Sequence, residues 1–129
     1  MRISPVNTIN TNRNPSFGGL QVALNKTTQD VLQKYAKHPD KSVWECFQKG
    51  FAQVNSILGE RYKAVLGVEN INGEPFFMLK SINLPGAKEN DWILKNAVKN
   101  VLVPDVSKTK ENTSFFASVM AGHVGAFIS

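Results

Sequence analysis

An α+β fold, in which a small antiparallel sheet packs with helices, is predicted by three features of this chain. An Asn72-Gly73 pair separates two apolar runs, amphipathic stretches flank them on both sides, and the balance of 42% hydrophobic to 19% charged residues is that of a globular protein. Asn-Gly tolerates the positive φ angles of a type I′ turn, so the two runs read as a β-hairpin with strands over residues 62–69 and 76–83. A chain of 129 residues is long enough to bury one core, and the expected organisation is a flexible arm over residues 1–16 followed by a single domain over 17–129.

The arm is rich in Asn, Thr and Pro and holds too few apolar groups to offset the entropy of ordering it. It closes in Asn14-Pro15-Ser16-Phe17-Gly18-Gly19-Leu20, and this lead resembles the opening of many short, uncharacterised bacterial proteins. The resemblance implies a bacterial source and carries no activity with it. Leu20, Val22 and Leu24 then alternate with Gln21 and Ala23 as a half-buried strand over residues 17–24 would.

Thr27 with Asp30 predicts a capping-box start for a helix over residues 28–37, which His38-Pro39 ends. A second helix over 42–58 starts at Asp40 or Ser42 and repeats Val43, Trp44, Phe47, Phe51, Val54 and Leu58 at spacings of three and four. Gly50 inside it predicts a close approach by a neighbouring element, and Gly59 a stop. After the hairpin, Asn90 as a cap and Ile93, Ala97 and Val101 on one stripe predict a third helix over 90–102. Residues 105–112 read as a charged loop. Residues 114–127 read as a closely packed C-terminal helix in which Ser118, Gly122 and Ala126 repeat every fourth position.

The chemistry of the chain argues against catalysis. Cys46 could act as a nucleophile only if His38 or His123 reached it, and it sits on the apolar-patterned helix where a small thiol packs well. Neither histidine belongs to a metal-ligand spacing, the carboxylates fall at helix starts and in loops, and no glycine-rich loop carries the lysine of a phosphate cradle. No metal and no cofactor is expected.

What remains points to binding. The run Phe76-Phe77-Met78 is apolar on both faces of its strand, so one face needs a second layer or a partner. Phe76, Phe77, Trp92 and Phe17 are the interaction candidates of a non-catalytic protein-interaction module, with a partner protein or a second copy as the occupant. A net charge of +5 supports a second reading, a nucleic-acid or acidic-surface binder using Lys95, Lys99, Lys108 and Lys110, although the lysines are spread along the chain and only three arginines accompany them. A third, a small thiol-dependent hydrolase or transferase, rests on Cys46 with one of the two histidines. The opening Met1-Arg2-Ile3-Ser4-Pro5 lacks an apolar signal core and no stretch is long and apolar enough to span a bilayer, so a cytoplasmic location is expected.

Overall fold

The structure, a computed structural model, describes residues 19–89 and 91–129. Strand β1 (Leu20–Val22) is followed by helices α1 (Lys26–Ala36) and α2 (Lys41–Leu58), strands β2 (Ala64–Ile71), β3 (Glu74–Ser81) and β4 (Trp92–Ala97), a single 3-10 turn (Val98–Asn100) and helix α3 (Val106–Ile128). The α+β class holds. The strands form one sheet in the order β1-β2-β3-β4.

The hairpin is centred where the sequence places it. Asn72 and Gly73 take φ values of 54° and 81°, and the two-residue loop fixes the register from Ile71↔Glu74 to Ala64↔Ser81. The strands run up to the turn, two residues closer to it than the apolar runs suggest, because Asn70 pairs with Pro75 and Glu74 with Ile71 despite their polarity.

Two strand expectations need correction. The sheet is mixed, because β1 lies parallel to β2, with Leu20 beside Ala64 and the two helices forming the crossover that a parallel pair requires. The helix expected over 90–102 is absent from its described residues, 91–102: β4 pairs antiparallel with β3, and the 3-10 turn follows. The stripe of Ile93, Leu94 and Ala97 imitated a helical face because a β-bulge places Ile93 and Leu94 side by side. Residue 90, the proposed cap, lies outside the described residues, as do the arm over 1–16 and Phe17.

The helices show the same mixture. Asp40 caps α2, its carboxylate accepting from the Ser42 amide at 2.9 Å, and the Ser42 hydroxyl holds that carboxyl below its ordinary range. Gly59 ends the helix with φ of 64°. In contrast, α1 starts at Lys26 without the capping box expected at Thr27. Helix α3 begins eight residues earlier than expected, at Val106, with Asp105 accepting from the Lys108 amide at 3.2 Å. The charged segment 105–112 is thus its cap and first two turns. Two threonines hid it: Thr109 and Thr113 are buried, Thr109 Oγ1 donating to the Val103 carbonyl at 2.8 Å and Thr113 Oγ1 sharing a hydrogen bond with the Tyr35 hydroxyl at 2.9 Å.

All three helices lie over one face of the sheet. Leu66, Val68, Phe77 and Leu79 point into a core with Tyr35, Phe47, Val54, Phe116, Met120 and Val124. The Tyr35 ring lies 4.5 Å from that of Phe47 and 6.4 Å from that of Phe77, which meets Phe116 at 5.1 Å. Helices α2 and α3 approach closely at Gly50, where an added Cβ would fall 2.3 Å from that of Ala117. Ala117 makes this contact, while the small residues Ser118, Gly122 and Ala126 lie exposed.

Candidate interaction face

The opposite face of the sheet carries Val65, Gly67 and Glu69 from β2, and Phe76, Met78 and Lys80 from β3, since side chains alternate along a strand and these are the residues out of phase with the core. Lys95 and Ala97 of β4 lie beside Met78 and Phe76. No helix of the described residues covers this face. Met78 is 3% exposed and yet lies outside the core cluster. Space for it comes from Gly67 directly opposite, where an added Cβ would sit 3.0 Å from Ala23 and 3.6 Å from the Met78 methyl group.

Strict alternation from Ala97 and Lys95 would put residue 93 on this face and turn Trp92 toward the helices. The register shift between Leu79 and Lys80 reverses this, pairing Trp92 with Lys80 while Ile93 and Leu94 both pack against the core. Trp92 is therefore delivered to the helix-free face, 41% exposed. There the Lys95 ammonium lies 4.8 Å and the Lys80 ammonium 5.9 Å from the centre of its ring. Such cation–π contacts contribute about 0.5–1 kcal/mol at exposed sites. Lys80 also meets the Glu69 carboxylate at 3.4 Å, whereas Lys95 has no carboxylate partner among the described residues.

Of the aromatic candidates, Phe76 and Trp92 share this face and Phe77 does not. Phe77 is 1% exposed in the aromatic core and has no surface to offer a partner. The four candidate lysines do not form a stripe. Lys95 lies on the sheet face, Lys99 pairs with Glu74 at 3.0 Å, Lys108 with Glu111 at 3.5 Å, and Lys110 donates to the Ser42 hydroxyl at 3.0 Å in the helical layer. Glu74 Oε1 is shielded and meets Lys99 by charge without a well-aligned hydrogen bond. Lys80 and Met78 lie on the same face as Phe76 and were not among the candidates, although their alternation with Phe76 was readable; the bulge that recruits Trp92 leaves no sequence signature.

The thiol of Cys46 contacts the Lys110 carbonyl at 3.4 Å and the Ser114 hydroxyl at 3.1 Å. His123 lies on α3 nine residues beyond Ser114, about 13 Å along the axis, with Nδ1 at the Val119 carbonyl, and His38 Nδ1 accepts from the Asp40 amide. Neither ring is positioned as a base for the thiol. The cleft beside it, lined by Cys46, Lys49, Gly50, Gln53, Ser114, Ala117 and Ser118, encloses about 170 Å³. Small-molecule sites generally occupy about 300–1,000 Å³. Among the described residues no three metal-ligating side chains gather, and no helix is long and apolar enough to cross a membrane. Comparison with known proteins adds no relative: no family model, no curated protein and no solved structure matches the chain.

Proposed function

We propose that the chain is a non-catalytic interaction module that docks a partner protein on the helix-free face of its sheet, through Phe76 and Trp92 with Lys80 and Lys95 at their side and the buried Met78 as their support. The observation that carries this reading is the bulge, which takes the one tryptophan of the sheet out of phase with the core and turns it to solvent. Bulges are recurrent devices for re-aiming a side chain at functional positions. Tryptophan is also among the residues that dominate binding energy at interfaces.

The test compares what co-purifies with the tagged chain from its own source organism when wild-type, Trp92→Ala and Leu24→Ser proteins are used, with sedimentation reporting self-association. Leu24 is exposed but belongs to neither the hairpin nor β4, so Leu24→Ser serves as a surface control. Loss of the retained protein, or of a dimer, in Trp92→Ala alone supports the proposal. Identical behaviour of all three proteins removes it. A second reading, binding of single-stranded nucleic acid, draws on the two ammonium groups beside the Trp92 ring, a pairing of cation and stacking surface that nucleotides can use. It requires affinity that falls steeply with salt, and an absence of gel shifts at low ionic strength excludes it.

A further inference from the structure

The two edges of the sheet are finished differently. On the β1 side the pairing continues past the short strand: the Ala23 amide donates to the Leu66 carbonyl at 2.9 Å. The Val68 amide then donates to Thr28 Oγ1 at 2.8 Å, and the Asn25 amide nitrogen to the Val68 carbonyl at 3.0 Å. Side chains thus close the margin of β2 where the strand beside it has ended. On the other side β4 is the terminal strand. Among the described residues no further strand pairs with its outer margin. The Ser81 amide donates to the Asp91 carbonyl, and main-chain groups alternate in direction along an antiparallel strand. The β3 residues that point their main chain at β4 are therefore Ser81, Leu79 and Phe77, whose partners Leu94 and Asn96 face inward. Lys95 turns its N–H and C=O outward and Ala97 its N–H, while the Ala97 carbonyl opens the 3-10 turn that follows.

We infer that β4 takes up an extended, acidic segment of a partner protein as a fifth strand, with main-chain hydrogen bonds to Lys95 and Ala97, an acidic side chain beside Lys95 and an apolar one beside Trp92. This inference rests on the docking reading above and gives it a mode and a chemistry. Strand addition draws its affinity from such an open margin and its selectivity from the side chains that alternate above it. The charge follows from Lys95, which is exposed and lacks a carboxylate partner among the described residues, and from Lys80 on the neighbouring strand. A cross-strand neighbour of opposite sign satisfies Lys95, whereas a second copy of β4 brings another lysine to the same margin.

The experiment follows backbone amide and indole signals of the labelled full chain by NMR during titration with three probes at up to millimolar concentration: the peptide acetyl-Glu-Thr-Val-Thr-Glu-Thr-Val-amide, whose Glu and Val side chains fall on one face of a strand, its counterpart with lysine at every glutamate, and a fifteen-residue oligothymidylate. The expected result is that the acidic peptide alone shifts Trp92, Lys95 and Ala97 and slows hydrogen exchange of the Lys95 and Ala97 amides by roughly tenfold or more. Lys95→Glu is expected to weaken the peptide at least tenfold. Lys95→Pro, which removes the outward amide, is expected to abolish binding, and its unchanged circular dichroism distinguishes a blocked margin from a lost fold. Shifts on Phe76, Met78 and Trp92 without amide protection overturn strand addition and leave the docking face standing. Preference for the oligothymidylate overturns the acidic-peptide partner in favour of nucleic acid. No response at millimolar acidic peptide overturns the inference, while the co-purification test still judges the face itself.

Discussion

The two faces of this sheet are built from the same strand and from similar residues, yet only one of them is a core. On β3, Phe77 and Leu79 belong to the core that the helices close, while their neighbours Phe76 and Met78 lie outside it, Phe76 half-buried and Met78 buried beside Gly67. Apolar character alone does not separate a residue of the core from one outside it. The separation lies in what packs above it, and mutation should expose it as a difference in energy.

The largest effect is expected at the helix-side residue. Phe77→Ala should destabilise the fold by about 3–5 kcal/mol, the usual cost of removing a fully buried aromatic ring, as measured by urea unfolding. A loss below about 1 kcal/mol would break the comparison, since it would mean that the helical side is no better packed than the other. The next effect is alkaline. Burial pushes the Tyr35 hydroxyl up to about 12 from its ordinary 10.0, against the opposing hydrogen bond with Thr113. A raised folded value makes this contribution complete below pH 10, where the unfolded chain is also protonated, and lost as the pH climbs toward 12. Stability should decline through that window with a slope of up to about 1.4 kcal/mol per pH unit from this group, and Tyr35→Phe should flatten the decline. An unchanged slope in Tyr35→Phe would assign the alkaline loss to other groups. The smallest effect is expected at Trp92. Trp92→Ala should change unfolding free energy by no more than about 1 kcal/mol, because the ring is partly exposed and its partners are flexible lysines. A cost near that of Phe77→Ala would make Trp92 a core residue and remove the reason to read its face as a docking surface.

How much of this was legible in the sequence depends on how local each determinant is. The Asn72-Gly73 turn, the Asp40 cap, the Gly59 stop and the small residue at Gly50 are set by residues within a few positions or by the absence of a side chain, and all four were readable. β4 was not. Its bulge arises from pairing with Leu79 and Lys80, more than a dozen residues away, and the resulting inward pair Ile93-Leu94 copies a helical stripe. The start of α3 was missed for a related reason. Thr109 and Thr113 are polar in composition but buried in place, and the groups that satisfy them, the Val103 main chain and the Tyr35 hydroxyl, cannot be paired from the sequence. Half of the candidate face was likewise accessible: Phe76, Met78 and Lys80 follow from alternation, whereas the arrival of Trp92 and Lys95 beside them depends on the long-range register.

The parallel pairing of β1 and β2 carries a kinetic consequence. Ile71 and Glu74 need close only a two-residue loop, a microsecond event, but Leu20 and Ala64 are separated by 43 intervening positions that carry both α1 and α2. The hairpin is therefore expected to form before the three-residue strand docks, because its contacts are local. The side-chain clasp of Thr28 on Val68 holds the join on which the N-terminal end of the described chain depends.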